Sequence, residues 1–388
     1  MIAKRHFLSA AVALALGISG AHADTLLDVY ELAVNNDPQL KAAEATYRAD
    51  LESENLSRSA LLPQLSGQAY YQDTETDSQS KSTTFTAGAF GGGSTSIIDQ
   101  KVHTGSETEN YSLNLSQAIF DLPAWFSFKA GQKVTERAKA QLAYDQQELI
   151  VRVSEAYFEV LKARENLDAS RAEERAAKRQ LEQTQQRFDV GLIAITDVHE
   201  SRAVYDSTVA QRLGFEGALA IARENLTTLT GKDHGKLWSL KESFPIDNPQ
   251  PAGRAAWVDM ALKNNYQLKV AMAASGSAYE NARAKKSEHL PKISGSFSYT
   301  KEDLDGSRRF NPSSSFAVPP DSEYETEALR VTLTVPLFTG GGVSAGRRQA
   351  YEQYNSAQYT AQLTQRQVIA GTRAQHIAVN TAVQTVKA

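Results

Sequence analysis

The sequence predicts an α+β membrane protein in which one plan, long α-helices feeding amphipathic β-strands, occurs twice. Three observations carry this. Two sets of residues repeat at constant spacing, the apolar period switches from ~3.6 to ~2 after each of two Leu-Pro pairs, and residues 124–230 read as helix without a single Pro.

The repeat is the firmest of the three. Ala33, Asn36, Gln39, Leu40, Lys41, Ala43, Ala45, Glu52, Ser59, Leu62, Pro63, Ser66 and Gly67 recur as Ala261, Asn264, Gln267, Leu268, Lys269, Ala271, Ala273, Glu280, Ser287, Leu290, Pro291, Ser294 and Gly295, at an offset of 228 throughout. Residues 113–120 recur as 331–338 at an offset of 218, so the intervening loop is ten residues shorter in the second copy.

From the start of the chain, Lys4, Arg5 and His6 precede an apolar run over residues 7–18, and Ala23 with Ala21 supplies the small residues that a signal peptidase reads. This is a secretory signal peptide, cleaved before Asp24. Without Lys4 and Arg5, 39 basic side chains face 45 acidic ones, a balance that offers nothing to nucleic acid. With no Cys in the chain, disulfides and thiolate metal sites are excluded. No later stretch is apolar for the ~18 residues that a transmembrane helix needs. Any membrane crossing is by strands.

Residues 26–62 read as helix broken at Asp37-Pro38 and ended by Pro63. Strand alternation follows, with Leu65, Gly67, Ala69 and Tyr71 on one face, and returns through Tyr111, Leu113, Leu115 and Ile119. The second copy alternates through Ile293, Gly295, Phe297 and Tyr299, then through Leu329, Val331, Leu333, Val335 and Leu337. Residues 73–110 and 301–326 between these strands are polar and low in complexity, and read as long loops. Long loops at one end suit an outer-membrane barrel more than a sheet covering a soluble core. Four strands cannot close a barrel, and lipid does not tolerate an open edge. Several chains must share it.

The helical hairpin begins with an arm over residues 124–189, about 100 Å long at ~1.5 Å per residue. Leu149, Val153, Ala156, Val160, Ala163 and Leu167 step by four and three, the spacing of a helix that keeps one face on a partner. Beyond Ser170 this seam is expected to thin to Ala172, Ala176 and Leu181. Gly191 suits a helix C-terminus, and Thr196 or Asp197 is expected to cap the returning helix, Asp197 and Glu200 having capping-box spacing.

The reversal over residues 183–198, with Arg187, Phe188, Val190, Gly191, Leu192, Ala194, Ile195, Thr196, Asp197 and Val198, resembles that of the TolC family of outer membrane efflux and type I secretion channels. So do the junctions Leu62-Pro63 and Leu290-Pro291, and Pro336, Leu337, Phe338, Thr339, Gly340 and Gly341. The resemblance implies a homotrimer whose strands form one 12-strand β-barrel in the outer membrane, above a periplasmic α-helical tunnel. It divides the chain into 1–23, signal peptide; 24–62, tunnel helices of the first copy; 63–122, its barrel strand pair with a long extracellular loop; and 123–230, the long tunnel hairpin. An equatorial linker over 231–253, with Trp238, Leu240, Phe244, Pro245, Pro249 and Pro251, precedes the second copy's tunnel helices at 254–290 and strand pair at 291–339. Trp238 and Phe244 are expected to serve in ordinary packing. The last helix starts within 340–388; an offset of 218 would put a second reversal past Ala388, so the sequence reads as truncated.

The resemblance implies a passive exit duct for small molecules or proteins, coupled to a periplasmic adaptor and an inner-membrane transporter. Arg187, Gly191, Thr196 and Asp197 fall at its periplasmic tip, where gating and partner contact are expected, and Pro63 and Pro291 at its helix-strand junctions. No cofactor is expected. An enzyme is not predicted: His103, His199, His234, His289 and His376 form no i, i+3 or i+4 pair, and no phosphate-cradling or nucleophile motif occurs. A periplasmic coiled-coil adaptor or scaffold shares the hairpin, but has no use for amphipathic strands.

Overall fold

The computed structural model describes residues 23–87, 93–240, 246–311 and 321–388. Residues 1–22, within the expected signal peptide 1–23, the glycine-rich stretch 88–92, and Phe244 with Pro245 lie outside them. The elements follow as α1 (Leu26–Asn36), α2 (Pro38–Ser59), β1 (Gln64–Ala87), β2 (Gly93–Phe120), α3 (Leu122–Asp189), α4 (Ile195–Thr230), α5 (Arg254–Asn264), α6 (Tyr266–Ser287), β3 (Lys292–Asn311), β4 (Ser322–Thr334) and α7 (Gly342–Lys387). Both ends of α1 and α2 and the first residue of β1 return in α5, α6 and β3 displaced by 228.

Local chemistry sets those boundaries. Thr25 and Asp28 cap α1 reciprocally, each side chain bonding the other's backbone amide. Between α1 and α2 the Asp37 carboxylate accepts from the amides of Gln39 and Leu40 at 3.4 and 3.2 Å, and Pro38 enters where no helical donor is needed. Asn265 does the same for α6, accepting from the Leu268 amide at 2.8 Å.

The chain divides into two compact units, one drawn from Met1–Tyr47, Ala140–Trp257 and Thr372–Ala388, the other from Arg48–Lys139 and Val258–Gly371. In the first unit α3 is the spine. Leu149, Val153, Val160, Ala163 and Leu167 are buried and Ala156 is half-buried, as the seam predicts. Val29 and Ala33 of α1, Leu40, and Leu219, Ala222 and Leu226 of α4 complete the cluster. Tyr157, outside the predicted seam, is buried too; its hydroxyl donates to the carbonyl of Trp238 at 2.8 Å, and burial pushes the phenol's pKa up, which keeps it a neutral donor. Asp24 and Leu237 form a parallel bridge beside it. The expectation for Trp238 needs correction: it is half exposed, and its neighbour Leu237 fills the core, because alternation along this extended segment sends successive side chains to opposite sides.

The second unit holds one antiparallel sheet in the order β1-β2-β3-β4, so the second strand of the first copy pairs with the first strand of the second. Gly131 lets α3 approach α2: a Cβ there would lie 2.2 Å from Ser57 Oγ and 2.9 Å from the Ser53 carbonyl. Two expectations are corrected here. Most of residues 73–110 and 301–326 is strand, since β1 runs to Ala87 and β3 to Asn311. Ser and Thr dominate the β1 extension and charged residues the β3 extension, and a ladder of backbone bonds between antiparallel partners needs no apolar alternation to form. At the other end β4 stops at Thr334, short of Leu337, because Pro336 has no amide to donate.

Candidate functional site

The tip of the hairpin is built by backbone geometry. Gly191 takes φ of 75° where α3 ends, the Gly191 amide bonds the Phe188 carbonyl at 2.8 Å, and the Leu192 amide reaches the Arg187 carbonyl at 2.9 Å. This pair of bonds satisfies carbonyls that the helix end leaves free, and the positive φ favours Gly. The returning helix begins at Ile195, with Ala194 as its N-cap and no side-chain cap bond. Thr196 and Asp197 therefore do not cap it. They lie two and three residues past the N-cap, in the first turn, where the Asp197 carboxylate is near the positive end of the helix dipole without closing a box with Glu200. Arg187, Thr196 and Asp197 are exposed, and their side chains bond to no described residue. The chain brings the four predicted tip residues to one reversal, and among the described residues the side chains of Arg187, Thr196 and Asp197 have no partner.

Behind the tip, the seam that was expected to thin continues, with Leu181 as expected and otherwise with different residues. Ser170 and Thr184 are buried, Glu174, Ala177, Leu181 and Phe188 half-buried, and the steps of four and three persist, while Ala172 and Ala176 face solvent. On α4 the matching stripe is Val198, Ser201, Tyr205, Thr208, Arg212 and Phe215. Two bonds across the helices fix the register: Arg212 Nε to Glu174 Oε2 at 2.6 Å, and Ser201 Oγ to Thr184 Oγ1 at 3.2 Å. The only signal that finds this stripe is the uninterrupted 4/3 count; apolarity misses it.

The sheet offers a second candidate surface. Leu65, Leu115, Phe297 and Leu329 are successive cross-strand partners, a row of four apolar side chains on one face. Leu113, Val331 and Leu333 extend it, and all of these are exposed, up to 81% for Leu329. The row on the other face is Gln64, Ser116, Ser296 and Arg330. Tyr71, Tyr111 and Tyr299 border the apolar band toward the hairpin ends, and Phe120 borders it toward the helices. Along β2 the band from Tyr111 to Ile119 spans about 26 Å at ~3.3 Å per residue. Among the described residues β1 and β4 each pair on one side only, so both outer strands have free backbone edges.

Pro63 and Pro291 sit at equivalent junctions. The Leu62 amide bonds the Ser59 carbonyl at 3.1 Å, and the Leu290 amide bonds the Ser287 carbonyl at 3.0 Å, before each proline breaks the helix into β1 or β3. Among the described residues no group of three His, Cys, Asp or Glu is placed to hold a metal ion, and no helix is long and apolar enough to cross a membrane.

The sequence matches the family described as outer membrane efflux protein over residues 29–232 and 257–388. It is 32% identical over 381 residues to outer membrane protein TolC of Vibrio cholerae, covering 97% of this chain and 80% of that protein. It is 29% identical over 336 residues to the alkaline protease secretion protein AprF of Pseudomonas aeruginosa, covering 86% of this chain and 65% of that one. Among solved structures, the fold is similar to the CmeC outer membrane channel of Campylobacter jejuni, with a TM-score of 0.68 at 17% identity, over 92% of this chain and 71% of that one.

Proposed function

This chain belongs to the outer membrane efflux protein family, and from that premise we propose that three copies join their four-strand sheets into a 12-strand barrel above a periplasmic helical tunnel. The protein is an outer membrane exit duct for efflux or type I secretion. The observation that carries the barrel reading is the exposed apolar row of Leu65, Leu115, Phe297 and Leu329 between two free strand edges. Lipid gains from such a face, but leaves no edge unpaired, so β4 of one copy must bond β1 of the next. Closure by rotation satisfies every edge. The polar row with Gln64, Ser296 and Arg330 then lines an aqueous lumen.

At the far end, Arg187, Gly191, Thr196 and Asp197 form the surface for the periplasmic adaptor and inner-membrane transporter. The side chains of Arg187, Thr196 and Asp197 have no partner among the described residues and are free to bond across subunits in a closed state, which an iris-like parting of the helix pairs opens. Pro63 and Pro291 mark the barrel's periplasmic rim. Transport is passive here, and small molecules and proteins both suit a wide aqueous passage. AprF, by its name, serves secretion of an alkaline protease.

Electrophoresis in SDS without boiling, on detergent extracts of fractionated cells, tests this. A trimer band in the outer membrane fraction is expected, converting to monomer on boiling. Recovery of the chain as a monomer in the soluble periplasm would overturn the barrel, and an adaptor or scaffold would replace it.

A further inference from the structure

Where the strands meet the helices, the second unit forms a half-open hollow of about 980 Å³ between the start of α3, the end of α6 and the start of α7. Its wall combines Leu122, Phe126 and Tyr279 with Arg283, Lys286, Arg347 and Arg348, against one carboxylate, Glu352. Arg283 is committed: it pairs with Glu280 at 3.1 Å and lies over the Phe126 ring at 4.1 Å. Lys286, Arg347 and Arg348 are exposed and have no hydrogen-bond or ion-pair partner among the described residues. Three uncompensated cations around an aromatic hollow define its ligand as anionic at one end and apolar at the other.

The position of the cavity is as informative as its lining. Leu122 follows Phe120, the last residue of β2, by two positions, and Leu290 precedes β3 by two, so the hollow begins where the apolar band of the sheet ends. Under the barrel reading above, on which this inference rests, that is the depth of the periplasmic headgroups. We propose that this cavity binds the acidic phosphate headgroup of a phospholipid from the periplasmic leaflet, with Lys286, Arg347 and Arg348 on the phosphate and the acyl chains continuing along the apolar band. A bound lipid would neutralise cations that otherwise repel one another at the helix-strand junction, and would fasten the barrel at a fixed depth.

The test uses the full chain as detergent-extracted trimer, with native mass spectrometry after titration with phosphatidylglycerol, phosphatidylcholine or inorganic phosphate. Phosphatidylglycerol is expected to be retained on the order of tenfold better than phosphatidylcholine, and the Arg347→Gln/Arg348→Gln double variant is expected to lose that preference while staying trimeric. Lys139→Gln, a cation outside the cavity, should change nothing. Equal retention of both lipids, or unchanged preference in the double variant, overturns the proposal. Displacement of phosphatidylglycerol by inorganic phosphate at comparable concentration would make this a site for soluble anions, and overturn the lipid. A double variant that no longer gives the unboiled trimer band would assign the cations to the subunit interface instead. Failure of the barrel reading shows separately, as absence of that band from the unmodified protein.

Discussion

The two halves of the α3–α4 hairpin share one spacing and differ in what fills it. From Leu149 to Leu167 the seam is aliphatic and almost completely closed to water, meeting Leu219, Ala222 and Leu226. From Ser170 to Phe188 the same 4/3 positions mix Ser170, Glu174 and Thr184 with Ala177, Leu181 and Phe188, and polar Ser201, Thr208 and Arg212 share the facing stripe. An apolar seam resists parting because every Å² re-exposed costs about 25 cal/mol. A polar seam gives up hydrogen bonds that water replaces, each worth a net ~1 kcal/mol. One helix pair thus has a half built to stay shut and a half that can part at low cost, and the cheap half leads to the proposed gate.

Truncation in the closed half should give the largest effect. Leu149→Ala removes a side chain of 0% exposure and is expected to destabilise by about 3–5 kcal/mol, against about 1 kcal/mol for Leu181→Ala at a half-buried seam position. Urea titration followed by circular dichroism on the trimer measures both, and equal losses would abolish the distinction between the halves. Second in size is Arg152→Met. Arg152 pairs with the buried Asp37 at 2.7 Å, an ion pair at the closed half whose carboxylate is buried. Because the guanidinium is 22% exposed, the cost of stranding that carboxylate is discounted to about 2–3 kcal/mol. Adding Asp37→Asn copies the arrangement at Asn265, keeps the cap, and should recover about half of the loss. No recovery would mean that the arginine acts through packing alone.

In the polar half the expected effects are smaller and pairwise. A double-mutant cycle on Glu174→Gln and Arg212→Gln should give a coupling of about 1 kcal/mol, since both side chains are little more than a fifth exposed. Hydrogen exchange should place the loss in residues 170–215, leaving amides around Leu149 and Leu226 protected. In bilayer recordings each single variant should raise the frequency of opening a few-fold. If exchange rises equally along the whole hairpin, the halves are not separate cooperative units.

The repeat, the helices up to each Leu-Pro pair and the closed half of the seam were legible because each is written in a pattern that one element alone must satisfy. Leu149 through Leu167 could be read from spacing and apolarity together. Beyond Ser170 spacing survived and apolarity did not, so Ala172 and Ala176 were mistaken for the seam. Residues 73–87 were misread for a related reason: a ladder between two partners leaves no apolar signature in either. At the tip, Gly191 was legible from its conformational freedom. The cap was not, because Ala194 begins a helix without any side-chain bond, and Asp197 one turn too late resembles a cap in sequence. The four-strand apolar row was partly legible as alternation, but its register depends on the pairing of β2 with β3 across nearly two hundred residues of chain.

The smallest predicted effect concerns the edge of the closed half, where α1 begins. Hydrogen bonds from the Thr25 hydroxyl and then from its backbone amide hold the Asp28 carboxyl below its ordinary value. A carboxylate depressed on folding stabilises above its unfolded pKa of ~3.9, and that contribution is lost as pH falls through the lower folded value. At neutral pH the wild type should therefore protect the first amides of α1 better than Asp28→Asn does, and the difference should shrink toward zero below the ordinary carboxylate range. Exchange measured on both proteins at each pH cancels the intrinsic acid dependence of the method. A difference that persists undiminished in acid would show that Asn caps as poorly at every pH, and that charge is not what Asp28 supplies. A difference that instead spreads to the amides around Gly191 would join the two halves of the hairpin into one unit, against the contrast in their seams.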